Sequence, residues 1–385
     1  ILLVGAGLFL RSFVHLVAVD PGFNPAHVTA ATVTLPNTPQ FKRDHDVGAF
    51  AQRLLDRVSS LPGVQQAAIG FGRPFAEGHV RTTFEIEGQP RSQPGNRRLV
   101  MARPVSPAYF PVLGIPLVSG RMFTDQDRTD GRQVVLLSQE AARRYFKGVS
   151  PIGQQITLGW ERDTAEWGAH HTVGGEIVGV VADVTEQGAA AENLPVVYTP
   201  FAQVPVGDIT VLVRSGLGAS AISGELRSAV HDLDSALPVY GVTTMDNALG
   251  ESVAQPRFYT LLLSGFAFIG LLLAAVGIYG VISYGVTLRQ REIGIRLALG
   301  SSRQRIVRLT LGQGVALAVV GIPIGLAGAY WLSRYIGSLL FGVHGADAVT
   351  YGVVPLVLLA VAALASYLPA RRAARVDPVI TMRAD

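Results

Sequence analysis

The chain contains no cysteine. A disulfide framework, a thiolate metal site and a cysteine nucleophile are therefore excluded. Charge is scarce as well. Asp, Glu, Lys and Arg make up 16% of the residues, against about 25% in an average soluble chain. Hydrophobic residues reach 49%, and mean hydropathy is +0.35. That combination excludes a disordered chain and argues against an ordinary soluble enzyme. No G-x-x-x-x-G-K-S/T sequence is present, so ATP hydrolysis within this chain is not expected. H-E-x-x-H and G-x-S-x-G are also missing. His170 and His171, near Glu161, Asp163 and Glu166, form the only dense group of possible metal ligands. Adjacent residues on a strand point to opposite faces. Gly159, Trp160, Trp167 and Gly168 around them read as a surface loop. Neither a metal site nor a cofactor site is expected.

What the chain has instead is long uncharged runs. Phe258 to Leu288 holds 31 residues without a charge, Thr310 to Ser333 holds 24 and Thr350 to Ala370 holds 21. Each is long enough to span a bilayer, which takes roughly 18–20 apolar residues. The first run would reach roughly 46 Å as a helix, against a hydrocarbon core of about 30 Å. It is expected to begin as a stalk outside the bilayer. Residues 1–19 are a fourth candidate span, interrupted by Arg11. The chain begins at Ile1 inside an apolar run and reads as a fragment whose first span is truncated. With about ten further residues upstream, Arg11 would lie near the far interface and snorkel.

Charge sets the expected orientation. Arg289, Arg291, Arg296, Arg303, Arg305 and Arg308 face only Glu292 in the linker 289–309. Arg371, Arg372, Arg375 and Arg383 crowd the tail. By the positive-inside rule, linker and tail are cytoplasmic and residues 20–255 lie outside. Residues 20–257 carry 20 basic and 24 acidic side chains, a net of −4. The basic excess is cytoplasmic, and nucleic acid is not implied.

The outer segment reads as mixed α and β. Val28–Leu35, a helix over Asp46–Leu61 and Val64–Phe71 make one β-α-β unit. Ile209–Val213, Ala219–Leu233 and Val239–Thr243 make another. Strands are predicted between them at Thr82–Ile86, Leu99–Val105, Val134–Leu137, Gln155–Leu158 and Glu176–Val181. Short helices are predicted at Pro107–Leu113 and Gln139–Phe146. Pro94-Gly95 and Gly174-Gly175 read as turns. The fold class is four transmembrane helices plus an α+β extracytoplasmic domain, two β-α-β units with a strand-rich insertion.

Arg291–Gly300 reads as a short amphipathic helix. Glu292 and Arg296 form an i,i+4 pair, Ile293, Leu297 and Gly300 line one face, and Gly294 permits close approach. Two readings stand at this level: docking into a partner's groove, or lying on the anionic inner leaflet. Gly321, Gly325 and Gly328 permit tight helix contact, in a dimer or within the chain. Arg371, Arg372 and Arg375 anchor the tail at the cytoplasmic surface and can bind acidic headgroups. No ionisable residue lies deep in the last three spans, which argues against ion coupling.

"FAFIGLLLAAVGIYGVISYGVTLRQREIGIRLALGSSRQRIVRLTL" (Phe266–Leu311) resembles the core of an FtsX-type ABC-transporter permease. "LLFGVHGADAVTYGVVPLVLLAVAALASYLPARRAARVDPVITMRAD" (Leu339–Asp385) resembles the last span and tail of that family. "VSPAYFPVLGIPLVSGRMFTDQD", "EIVGVVADV" and "VVYTPFAQ" resemble the MacB-type periplasmic core domain. Together they resemble the duplicated orphan permeases, with this chain as the second copy. The resemblance implies a span at 1–19, a periplasmic core domain at 20–255 and a permease domain at 256–385. In the last, spans fall at 262–287, 310–333 and 350–370. It implies a bacterial inner-membrane location. It makes Arg291–Gly300 the coupling helix that contacts a separate nucleotide-binding subunit. The implied protein is a non-catalytic subunit that passes ATP-driven motion to its outer domain, as a dimer or pseudodimer. The alternative is an orphan scaffold or signalling protein that binds an envelope partner, such as a cell-wall hydrolase regulator.

Overall fold

A computed structural model describes the chain except residues 19, 76–80, 91–96, 129–130, 160–172, 186–193, 300, 337–346 and 375–385. The expected surface loop Trp160–His171 and the turn Pro94-Gly95 lie outside the described residues. The chain forms two compact units: a helical unit of residues 1–18 and 254–385, and a strand-rich unit of residues 19–253.

The helical unit opens with α1 (Leu2–Ala18). The strand-rich unit then begins with β1 (Val28–Thr34), α2 (Asp44–Ser59) and β2 (Val64–Gly70). Its insertion contains β3 (Arg81–Ile86), β4 (Leu99–Val105), α3 (Tyr109–Leu113), β5 (Leu117–Gly120) and β6 (Val134–Ser138). It continues with α4 (Gln139–Tyr145), β7 (Gln155–Gly159), β8 (Val173–Val181) and β9 (Val196–Pro200). The unit closes with β10 (Asp208–Ser215), α5 (Ala219–Leu233), β11 (Val239–Thr244) and α6 (Met245–Ser252).

Both expected β-α-β units are present, but they interleave. The sheet order is β11-β1-β10-β2, and β10 runs antiparallel to both β1 and β2. Each unit is therefore split by a strand of the other, the ferredoxin-like arrangement. The insertion is a ring rather than an open run of strands. It passes through β4, β3, β7, β8, β6 and β9, and a parallel pairing of β9 with β4 closes it.

Strand alternation divides these residues among three cores. Ala31, Val33, Ile209, Val211 and Val213 face Phe50 and Leu54 of α2 and Ile222 and Leu226 of α5. The opposite sheet face, with Val28, Ala30, Ala68 and Leu212, meets α3 and the outer wall of the ring. Val100, Val135, Leu137, Leu158 and Val197 fill the ring with Phe84. The expected Gly174-Gly175 turn is corrected here, because both residues lie inside β8. A Cβ on Gly174 would sit 2.2 Å from the Ile156 carbonyl oxygen, and Gly175 has φ of +147°. Glycine serves close backbone approach there.

The helical unit continues with α7 (Ala254–Leu288), α8 (Gln290–Ala298), α9 (Arg303–Ile336) and α10 (Ala348–Ala373). The three expected internal spans fall within α7, α9 and α10, which among the described residues are the three helices long and apolar enough to cross a membrane. α7 runs unbroken for 35 residues, about 52 Å. α1 has 17 residues, or about 26 Å of helix against a core of about 30 Å. Among the described residues, α7, α9 and α10 meet the length of a span, and α1 is a shorter apolar helix.

α10 is the shared packing partner. Ser366 is fully buried, and a Cβ on Gly314 of α9 would lie 1.9 Å from its hydroxyl. A Cβ on Gly7 of α1 would lie 2.8 Å from Thr350 Cγ2, whereas Gly5 faces open space. One turn beyond Gly7, Arg11 forms an ion pair with Asp347. Asp347 also caps α10, accepting from the Thr350 N–H at 2.8 Å and the Thr350 hydroxyl at 2.7 Å. The expected snorkelling arginine thus has a counter-ion within the chain.

Two outcomes follow. Asp347→Asn keeps an N-cap acceptor and loses the ion pair, whereas Asp347→Ala loses both. Thermal unfolding in detergent should place the alanine variant below the asparagine variant by about 1 kcal/mol. In the strand-rich unit, burial holds the Asp183 carboxyl above its ordinary range, opposed by the Glu140 N–H and reinforced by the Glu140 charge. A raised carboxyl pKa favours the fold below the unfolded-state value, and that contribution is lost as pH rises through the folded value. Asp183→Asn should therefore raise the thermal midpoint at neutral pH, and the gain should vanish in acid.

Candidate coupling interface

α8 is a separate short helix because the chain breaks between it and α7. Arg289 leaves helical geometry with φ of −105° and ψ of 13°. At the other end the Leu299 N–H donates to the Ile295 carbonyl at 3.0 Å, and the Ser301 N–H to that of Arg296 at 2.9 Å. Glu292 lies in the first turn and Arg296 in the last, as the helix dipole favours. Their ion pair is present at 2.5 Å, with side chains 51% and 48% exposed. At that exposure it is worth about 0.3–0.5 kcal/mol. It stiffens the helix without fixing its position.

Position comes from Ile293. Its side chain is buried against Ile306 of α9 and Ala373 of α10, with Val286 and Leu297 packed around it. Gly294 is buried beside it. The expected docking face, Ile293 with Leu297, is therefore turned into the helical unit. The face left open carries Arg291, Glu292 and Arg296, together with Ile295 at 44% exposure and Leu299 at 83%. Ile295 and Leu299 are four residues apart and share one stripe. Sequence reasoning passed over this pair. The available signal was a nine-residue helix apolar on two opposite sides, which one intrachain contact cannot use up. Gly300 lies outside the described residues. Arg289, Arg291, Arg303, Arg305 and Arg308 are exposed around this face, so a complementary surface would be acidic at its rim.

The other expected site residues separate into different roles. Arg371 is exposed at the end of α10, and Arg375 lies outside the described residues. Arg372 Nη1 donates to the Tyr279 hydroxyl of α7 at 2.9 Å, so this arginine joins two helices. Gly328 and Gly325 face Ile1, the residue before α1, 3.0 Å and 4.0 Å away from an added Cβ, while Gly321 faces open space. Two of the three glycines thus serve a contact inside the chain. Among the described residues, no cluster of three His, Asp or Glu could hold a metal ion.

Comparison with known proteins follows the same division. Residues 18–229 match the family described as MacB-like periplasmic core domain. Residues 264–378 match the FtsX-like permease C-terminal family. The chain is 29% identical over 292 residues to the uncharacterized ABC transporter permease YknZ of Bacillus subtilis (strain 168), covering 72% of this chain and 68% of that protein. It is 27% identical over 290 residues to the macrolide export ATP-binding/permease protein MacB of Mannheimia succiniciproducens, covering 71% of this chain and 42% of that one. It thus spans less than half the length of that relative. The crystal structure of the periplasmic region of MacB from Actinobacillus actinomycetemcomitans overlays with a TM-score of 0.40 at 16% identity, over 60% of this chain and 95% of that one.

The two faces of α8 should respond differently to substitution. Ile293→Ala should cost the helical unit about 2 kcal/mol in thermal unfolding and speed amide exchange along α8. Ile295→Ser and Leu299→Ser should leave both readouts unchanged.

Proposed function

Because this chain belongs to the family that joins a MacB-like periplasmic core domain to an FtsX-like permease segment, we propose that it is a non-catalytic subunit driven by a separate nucleotide-binding subunit. It is a multi-pass ABC transporter permease of the inner membrane with a periplasmic domain. Here α1 acts as the fourth span, placing both ends of the chain in the cytoplasm. ATP is bound and hydrolysed on the partner, and the work done on this chain is mechanical.

The observation that carries this reading is the division of α8 into a buried and an open face. Ile293 is wedged between α9 and α10, while Ile295 and Leu299 remain exposed among arginines. A partner that grips the open face displaces the wedge as well. The displacement enters α9 at Ile306 and α10 at Ala373. The Arg372–Tyr279 hydrogen bond then ties α10 to α7. α7 is one unbroken helix from Leu288 back to Ala254, directly continuous in sequence with the periplasmic domain. Motion can therefore cross the membrane along packed helices without a polar pathway through the spans. Export or extrusion at the outer face is the resulting activity. A dimer or pseudodimer with another copy would use the open glycine Gly321.

Co-purification from the native host tests this. A nucleotide-binding subunit should be recovered in stoichiometric amount with the parent protein. Ile295→Asp with Leu299→Asp should abolish its recovery, and Glu292→Ala with Arg296→Ala should weaken it. Repeated recovery of an intact complex without an ATPase would overturn the reading in favour of a scaffold that binds an envelope partner.

A further inference from the structure

The periplasmic end of the helical unit carries three arginines, Arg11, Arg257 and Arg334, and one carboxylate, Asp347. Asp347 is committed to Arg11 and to the N-cap of α10. Arg334 has no ion pair among the described residues, and the stretch from Tyr335 to Ala346 contains no Asp or Glu. Arg334 is nonetheless held in place. Its guanidinium lies 5.6 Å from the centroid of the Tyr330 ring. Beside it, Trp331 and Tyr335 meet edge to face at 5.2 Å. Tyr330, Trp331 and Tyr335 are 48%, 63% and 70% exposed. At about 100° per residue the four side chains fill an arc of roughly 140°. Ala329 and Ser333, on the other side of α9, are buried. The arc therefore faces away from the protein.

Three amphipathic rings at the end of a span sit at headgroup depth. A guanidinium presents paired N–H donors that match a phosphate. The stacked Tyr330 ring orients that fork before any ligand arrives, which lowers the ordering cost of binding. We propose that Tyr330, Trp331, Arg334 and Tyr335 form a binding site for the phosphate headgroup of an anionic phospholipid in the outer leaflet. The rings fix its depth and Arg334 takes the phosphate. A zwitterionic lipid brings its own ammonium beside the phosphate and competes with Arg334, so the site selects for net negative charge. This inference does not depend on the nucleotide-binding partner.

Trp331 is both a member of the site and its reporter. The other two tryptophans, Trp160 and Trp167, can be changed to phenylalanine in the full chain. That protein would be reconstituted in phosphatidylcholine vesicles containing a small, equal fraction of brominated phosphatidylglycerol or brominated phosphatidylcholine. Brominated phosphatidylglycerol should quench Trp331 as though enriched roughly three- to five-fold. Arg334→Gln should bring the enrichment to one while quenching by phosphatidylcholine persists. Arg334→Lys should retain part of it, and Arg257→Gln should leave it intact. Equal quenching by the two lipids in the parent overturns the proposal, whatever the variants do. So does an excess that survives Arg334→Gln, or one that Arg257→Gln lowers equally. An excess abolished by millimolar inorganic phosphate would make free phosphate the ligand and overturn the lipid assignment.

Discussion

The periplasmic domain depends on one strand, β4, that must satisfy its backbone on several sides at once. Its neighbours are β2 of the interleaved sheet and β3 and β9 of the ring. At the crossing the Phe71 N–H donates to the Pro104 carbonyl and the Ser106 N–H to the Ile69 carbonyl, each at 2.8 Å. The Ser106 hydroxyl accepts from the Ile69 N–H at 3.0 Å, and the Phe201 N–H reaches the Val105 carbonyl at 2.9 Å. Buried backbone groups need such partners, and this knot supplies them where two sheets change direction. Pro104 fits because its missing N–H is not called on while its carbonyl is. Gly70 fits because a Cβ would press on the Tyr109 ring at 3.2 Å and the Pro104 oxygen at 3.3 Å. The Tyr109 hydroxyl in turn accepts from Arg103 at 2.9 Å, which helps to carry a buried guanidinium.

The helical unit follows a different rule. Inside a bilayer, apolar burial gives little drive for helices to associate, so close packing and polar contacts must hold them together. Both are concentrated on α10. Glycines and small side chains bring α9 and α1 against it, and an arginine contact secures it near each end. Ile293 adds a wedge at the cytoplasmic end. A helix held in this way is fixed to its neighbours at both ends.

Much of this was legible in the sequence, for specific reasons. The internal spans follow from uncharged runs that no soluble core helix needs. α5 and β4 end where the residue pattern ends. β9 was missed because Val196 and Tyr198 face one core and Val197 another, so no polar alternation marks it. β5 was missed because all four of its residues are exposed. The ring and the interleaving depend on pairings between strands far apart in the chain, which local pattern does not encode. In α8 the helix and its ion pair were legible. Which of its two apolar faces pointed inward was not, because that depends on where Ile306 and Ala373 arrive. The pairing of Arg11 with Asp347 has the same origin.

The interleaved sheet has a consequence for biogenesis. Val28 of β1 pairs with Arg214 of β10, so the partner of the first strand is translocated nearly last. Until β10 arrives, β1 and β2 have no common neighbour, and the face that α2 covers lacks its central strand. The ring lies wholly between them in sequence and can close first through β4 and β9. The periplasmic domain therefore has a nested order of assembly, with the inserted ring complete before the sheet that frames it. Pairings at such sequence separation are slow to form, and β1 must remain unpaired outside the membrane for that interval. A periplasmic holdase would find its target there, in a strand that the finished structure buries at five of its seven residues.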